Sequence, residues 1–145
     1  MAAFTFNHAK HLLGQGAINL ATADFRVKLL MTNTTVDTED DATNLGEFTT
    51  IDQMDGSGYA DVATTGEVWA KDAPNNRSEL DVADTVFPNL GAGTRQVQAA
   101  LLYIEGATDA DRIPCAYYDG GGFPFDATGS DVTIEWDQEG ILQIR

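Results

Sequence analysis

The chain has 145 residues, of which 43% are hydrophobic, and its 23 acidic and eight basic residues give a formal net charge of −15 at pH 7. A strongly acidic chain lacks the clustered cations that bind a phosphate backbone, which argues against nucleic acid as a partner. The longest apolar runs are far shorter than the roughly 18–20 residues that cross a bilayer, which argues against a membrane partner. The charge favours solubility at high concentration, with a basic partner surface as the alternative.

The length suits one domain, residues 1–145, with a hydrophobic core of its own. A single cysteine, Cys115, excludes an internal disulfide and cannot form a zinc site by itself. Its apolar neighbours predict a buried thiol. The opening residues lack the basic segment and long apolar stretch of a secretory signal. We therefore expect synthesis in a reducing cytoplasm, without a metal or a cofactor.

The segment NHAKHLLGQG predicts a short helix with Asn7 as its N-cap and two glycines as its C-terminal stop. Ala9, Leu12 and Leu13 form its apolar face. A helix of about two turns does not persist alone in water, so it must dock on another part of the fold. Together with the residues before it, this helix is predicted to form an N-terminal arm, at about residues 1–16.

The rest of the chain predicts about eight or nine short strands separated by turns. Few helical segments intervene, so the expected fold is an all-β antiparallel β-sandwich with a jelly-roll-like order. The run TRQVQAALLYIEG is the best candidate for a central strand, with IPCAYYD as its hairpin partner. The other predicted strands lie in INL, FRVKLLMT, GYADVA, EVWAKDA, RSELDVADTVFPNL and a C-terminal hairpin in VTIEWDQEGILQIR.

The C-terminal strand is predicted to return and pair beside FRVKLLMT, covering an edge of that strand. Alternation within the strands predicts a buried set; its members are Val27, Leu29, Leu101, Tyr103, Ile134 and Trp136. For Trp136 the alternative is a place at the lip of the sandwich with its indole N–H bonded. Between residues 33 and 47 lies a long acidic connection, with a helical turn predicted at Asp40 to Leu45. Connections of this length are usually functional or mobile.

Few residues of the sequence are candidates for a catalytic or metal-binding site. His8 and His11 would share one helix face, but no third metal ligand is indicated. The segment DTEDDAT spaces its carboxylates like the start of a calcium loop, yet Ala42 and Phe48 replace the expected glycine and glutamate. Most aspartates lie in turns, where this side chain bonds the local backbone. The sequence contains no nucleophile elbow or phosphate-binding loop, and an enzyme is not expected.

The glycine-rich loop DGGGFPFD has two interpretations. Exposed Phe123 and Phe125 would mark a contact site, or both would fold back and close the end of the sandwich. A carbohydrate-binding module is an alternative function for a fold of this class, with Trp69, Tyr117, Tyr118 or Phe123 as stacking platforms for sugars.

The order of features along most of the chain resembles a class of small structural proteins of tailed-bacteriophage virions. The segments that carry the resemblance are AKHLLGQGAINLATADFRVKLLMT, GYADVATTG, AALLYIEGATDADRIPCAYYD and GSDVTIEWDQEGILQI. They are similar to the short helix, Gly-Tyr strand, hairpin and closing tryptophan motif of that class. The region from Thr32 to Asp55 is poorly matched.

The resemblance implies a head decoration or cement protein that binds and stabilises the shell of the major capsid protein. It implies a place on the virion surface after synthesis in the host bacterial cytoplasm, and a homotrimer on the capsid. The alternative within the virion is a tail or fibre component. Because decoration proteins often use terminal arms and loops as contacts, the candidate contact residues are Phe4, Phe6, Leu12, Leu13, Phe123 and Phe125.

Overall fold

The computed structural model describes residues 4–145, in which ten strands and one α-helix form. Every strand pair is antiparallel, so the all-β prediction with one short helix is confirmed. The elements are β1 (Phe4–Thr5), α1 (Asn7–Gly14), β2 (Phe25–Met31), β3 (Val62–Ala63), β4 (Val68–Asp72), β5 (Arg77–Asp81), β6 (Thr85–Phe87), β7 (Val97–Ile104), β8 (Ile113–Tyr118), β9 (Val132–Ile134) and β10 (Leu142–Ile144).

The strands form a five-stranded main sheet, β1-β8-β7-β2-β3, a three-stranded sheet, β10-β5-β4, and a two-stranded sheet, β6-β9. This arrangement is consistent with a β-sandwich and does not establish the jelly-roll order. The predicted central strand β7 lies in the middle of the main sheet, and β8 is its hairpin partner as expected. All seven residues of β2 pair with β7, with a register shift between Leu30 and Met31, and most residues of both strands are buried.

The predicted C-terminal hairpin is wrong, and so is its predicted place beside β2. Strand β9 pairs with β6, whereas β10 pairs with β5, and both edges of β2 are occupied by β7 and β3. The reason lies in the turn from Asp137 to Gly140, which turns the chain toward Leu80 of β5. There Ile141 donates its N–H to the Leu80 carbonyl at 2.7 Å, and Gly140 passes too close to that carbonyl for a side chain.

Both faces of the main sheet are covered by other parts of the chain. The residues predicted to form one core therefore belong to two hydrophobic clusters, one on each face. Val27 and Leu29 face the two smaller sheets and belong to one cluster, which we call the first core. Leu101 and Tyr103 face the opposite way and belong to the other cluster, the second core. All four are fully buried, and Ile134 is buried as well, so their burial is confirmed. The predicted Trp136 is only half-buried; its indole N–H bonds the Thr85 hydroxyl at 3.0 Å, as expected for a residue at the lip.

The second face of the main sheet is covered by the acidic connection. Val36, Leu45 and Phe48 point inward and pack in the same cluster as Leu101 and Phe6. This segment is therefore a structural cover whose charged side chains point outward between buried apolar anchors. Hydrogen bonds hold it closed: the Glu39 carboxylate accepts the Thr49 N–H at 3.0 Å and the Thr35 hydroxyl at 3.0 Å.

The helical turn predicted at Asp40 to Leu45 is wrong in position. Two 3-10 turns form instead, at Val36–Thr38 and Leu45–Glu47. The backbone between them is committed to other parts of the fold, because the Asp40 carbonyl accepts the Asn7 N–H and the Leu45 N–H bonds the Arg112 carbonyl. Because these backbone groups bond to other segments, they are not available for the hydrogen bonds between residues four apart that an α-helix requires.

The helix α1 forms as predicted, but its N-cap is Phe6 and not Asn7. The Asn7 amide instead donates to the Asp41 carboxylate at 2.7 Å, which ties the helix to the acidic connection. The predicted glycine stop is confirmed at Gly16, whose positive φ of 69° lets two N–H groups bond back to the last helical turn. The predicted short strand INL is absent, and Ile18 to Leu20 run as irregular chain. No helix within residues 4–145 is long and apolar enough to span a membrane.

Two adjacent tyrosines on β8 are expected to contribute differently to stability. The buried Tyr118 hydroxyl donates to the Ile141 carbonyl at 2.7 Å, whereas the buried Tyr117 hydroxyl has no hydrogen-bond partner among the described residues. Tyr118→Phe should reduce the free energy of unfolding by about 1 kcal/mol, whereas Tyr117→Phe should not reduce it by more than about 0.5 kcal/mol. Chemical denaturation of the two variants checks this; equal losses in both would contradict it.

Candidate functional site

The N-terminal phenylalanines pack on the chain's own sheet. Strand β1 pairs with β8, and the Phe4 ring stacks on Tyr117 with ring centroids 5.4 Å apart. Phe6 is completely buried in the second core, between Phe4 and Phe48. The Phe6 ring therefore offers no exposed surface in this structure, and its role as a partner contact stays a prediction. Of the predicted arm, residues 1–3 lie outside the described part.

An apolar groove lies between α1 and the three-stranded sheet. Two adjoining cavities of about 90 and 390 Å³ share five wall residues. We call them together the helix groove, and the residues common to both are Leu13, Ile18, Leu20, Trp69 and Ile144. Four of these side chains are half-buried and Ile144 is 43% exposed. The predicted contact residue Leu13 thus lies at a surface groove, whereas the half-buried Leu12 does not line it.

Strand register explains why this groove is apolar. Trp69, Leu80 and Leu142 are direct cross-strand neighbours and share one face of the three-stranded sheet. That face covers the first core at Leu80, which is fully buried. Ile144 is two residues further along β10 and therefore has the same orientation, but it extends beyond the edge of the core. The same alternation that buries Leu142 thus leaves Ile144 exposed.

A second groove, the glycine-loop groove, has a volume of about 670 Å³. It is lined by Gly120, Gly121, Gly122, Phe123, Phe125, Val132, Thr133, Ile134, Glu135 and Asp137. The two phenylalanine rings lie 5.6 Å apart between centroids and also pack against the first core. Phe125 is fixed by two backbone hydrogen bonds to Val97, at 2.9 and 3.0 Å. The two rings therefore fold back against the first core, as one interpretation predicts, and they also form part of the wall of a surface groove.

The proposed sugar-stacking residues do not come together. Tyr117 and Tyr118 are 1% and 3% exposed, so the prediction of either as a stacking platform is wrong. Both lie on β8, which is covered on each face. Trp69 and Phe123 remain accessible but line different grooves.

The acidic residues mostly tie loops together. The Asp55 carboxylate accepts the N–H and the hydroxyl of Thr94, both at 2.8 Å, and these bonds lower its pKa. Asp52 binds the Arg95 guanidinium and the Asn33 N–H, and the bond to Arg95 is the main cause of its lowered pKa. Within residues 4–145, no group of three or more His, Cys, Asp or Glu side chains is placed to hold a metal ion.

A buried polar network that the sequence patterns did not indicate lies inside the main sheet. Lys28 is 5% exposed, and its ammonium lies 2.7 Å from the Asp61 carboxylate. The same carboxylate accepts the hydroxyls of Tyr59 and Tyr103, at 2.7 and 2.6 Å. Burial first, and then Asp61, raise the pKa of both tyrosines. The usable signal was Leu30, an apolar residue on the same strand face as Lys28 that indicates burial of that face.

This network joins β2, β7 and the segment that precedes β3, and it does not form an open site. The Tyr59 hydroxyl also accepts the Leu29 N–H at 2.8 Å, so the network fixes the Gly-Tyr segment against β2. Burial raises the pKa of the Cys115 thiol to about 12, which keeps it protonated and unreactive at neutral pH, as expected for a core cysteine. The network and the thiol are thus enclosed, whereas the two grooves are open at the surface.

No protein-family model, curated protein or solved structure matches this chain.

Proposed function

We propose that the chain is a structural protein of a bacteriophage virion, a head decoration protein that binds and stabilises the shell of the major capsid protein. The observation that carries this proposal is the helix groove. It leaves apolar side chains, among them Leu13 and Ile144, at the surface of a scaffold whose main sheet is otherwise buried on both faces. An apolar groove with a charged surround is typical of a protein contact surface.

Two further features support the proposal. The order of segments resembles that of decoration proteins, and the aspartate bonds described above connect loops distant in sequence, which suits a rigid surface protein. The net charge of −15 supports solubility at high copy number, because like-charged molecules repel one another. A place on the capsid surface and a homotrimeric assembly there belong to the same proposal.

The proposal is tested by adding the purified chain to heads of its source phage that lack it. We expect saturable binding at hundreds of copies per head. Ile144→Ser should reduce occupancy at subsaturating protein about tenfold, because it removes an apolar contact of about 1–2 kcal/mol. The matched control is Val86→Ser, since Val86 on β6 is also 43% exposed and lies outside the helix groove.

The outcomes separate the possible roles. Absence of binding to the heads by the folded chain would overturn the decoration role. A few copies per particle, located on the tail in a cryo-electron microscopy reconstruction, would identify a tail or fibre component. Density for monomers or dimers on the shell would exclude the trimer.

The glycine-loop groove favours a second candidate function, a carbohydrate-binding module. Its walls combine an accessible aromatic ring, Phe123, with the carboxylates of Glu135 and Asp137, which can accept hydrogen bonds from sugar hydroxyls. A glycan array tests this candidate directly. Binding that is lost in Phe123→Ala would support it, and an array without a bound glycan would contradict it.

A further inference from the structure

The cations of this protein fall into two groups. The chain has eight Lys and Arg residues, all within residues 4–145. Five of them have a carboxylate within 4 Å: Arg26, Lys28, Arg77, Arg95 and Arg112. The other three, Lys10, Lys71 and Arg145, form no such ion pair in the described part of the chain. Acidic residues outnumber basic ones by 23 to eight, so unpaired cations are unexpected on this surface.

All three unpaired cations lie at the rim of the helix groove. Lys10 lines its smaller cavity, and Lys71 lines an adjoining cavity of about 490 Å³ whose wall also includes Ile144. Arg145 directly follows Ile144, and its guanidinium donates to the side chain of Gln143, another residue of the groove wall, at 2.7 and 3.1 Å.

Strand pairing places Lys71 on the same side of the sheet as the groove. Lys71 and Ile144 are both register partners of Ser78, from the two sides of β5. Direct cross-strand neighbours point to the same face, so the two side chains lie on one face, roughly 10 Å apart. Both ends of the apolar wall are thus bordered by cations that have no side-chain carboxylate within 4 Å in residues 4–145, and the Lys10 ammonium donates instead to the Asn7 side chain at 3.2 Å.

We infer that the helix groove binds an acidic peptide segment whose apolar side chain enters between Leu13, Trp69 and Ile144. Carboxylates of that segment then pair with Lys10, Lys71 and Arg145. A basic segment would meet three like charges at this rim, and a purely apolar one would leave them unpaired. The cavity of about 90 Å³ between α1 and β10 is sized for one side chain rather than for a large ligand.

The open edge of β4 favours an extended segment. Strand β4 pairs only with β5, so the backbone groups on its other edge, beside Trp69, have no strand partner within residues 4–145. A segment added to this edge would gain backbone hydrogen bonds while its side chains enter the groove. This inference goes beyond the proposed function and does not depend on it, since the segment is defined by its chemistry and not by the protein that carries it.

The test begins with a display library of random peptides selected on the intact chain. Enriched peptides should combine acidic residues with one or two large apolar residues. The best peptide is then titrated against the Trp136→Phe variant, in which Trp69 is the only tryptophan and reports groove occupancy by its fluorescence. Binding should weaken as salt rises, because exposed ion pairs are screened.

Replacing Lys10, Lys71 and Arg145 together by Gln should weaken peptide binding about tenfold, since three exposed ion pairs are lost. The matched control places Glu at three exposed positions outside the groove, which lowers the net charge by the same three units; these positions are Ala92, Ala107 and Thr128. Equal weakening in both variants would overturn the inference, because it would show only a general charge effect. Enrichment of basic peptides would overturn the inference as well, and so would a selection that enriches no peptide. Concentration-dependent dimerisation of the chain through the groove would also overturn it.

Discussion

Replacing Asp61 by alanine is expected to lower the free energy of unfolding by about 3–5 kcal/mol. Within residues 4–145, Asp61 is the only carboxylate paired with Lys28, whose ammonium would otherwise remain charged inside the main sheet. The buried Tyr103 and the half-buried Tyr59 would lose their acceptor in the same substitution. The large effect therefore comes from leaving several buried groups unpaired rather than from the ion pair alone.

Two control variants test whether the unpaired Lys28 ammonium causes the loss of stability. In a Lys28→Met background, Asp61→Ala should cost much less, because no buried charge is then left unpaired. Asp24→Ala, which breaks the exposed pair between Asp24 and Arg26, should cost under about 1 kcal/mol. Denaturant unfolding of the four variants measures these differences. An equal cost for Asp61→Ala with and without Lys28 would show that the two groups are not coupled.

Leu101→Ala is expected to cost about 2–5 kcal/mol, because Leu101 is fully buried at the centre of the second core. Leu29→Ala, on the opposite face of the same sheet, should cost a similar amount. As the control, Val86→Ala removes exposed apolar atoms and should change stability by less than about 0.5 kcal/mol. A change at Leu101 as small as that at Val86 would mean that the second face is not packed.

Hydrogen exchange separates the two core variants. Leu101 packs in one cluster with Val36, Leu45 and Phe48 of the acidic connection, whereas Leu29 does not. Leu101→Ala should therefore lower the protection of amides in residues 34–51 more than Leu29→Ala does. Equal protection of these amides in both variants would contradict the role of this segment as a cover of the main sheet.

Only part of the candidate site could be predicted from the sequence. Leu13 stood out because a helix of two turns must dock through its apolar face. Phe123 and Phe125 stood out because exposed aromatic residues on a glycine-rich loop mark a contact site. Ile144 appeared as the end of a strand and Trp69 as a stacking residue, and nothing local joins them to Leu13. The three meet only because β4, β5 and β10 form one sheet beside α1, so the groove is a product of strand pairing between distant segments.

The sequence by itself determined most of the strand segments, because alternation of side chains is a local property of an extended backbone. It did not separate the two buried faces of the main sheet, and its strand INL does not form. The strands β2, β7 and β8 and the hairpin between the last two were all predicted on that basis. Only the tertiary structure decided which edges pair. The last strand reaches β5 because a turn directs Ile141 to Leu80, and β2 is already covered on both sides. Edge choice depends on which backbone groups remain free after the longer strands have paired, and no local pattern records that.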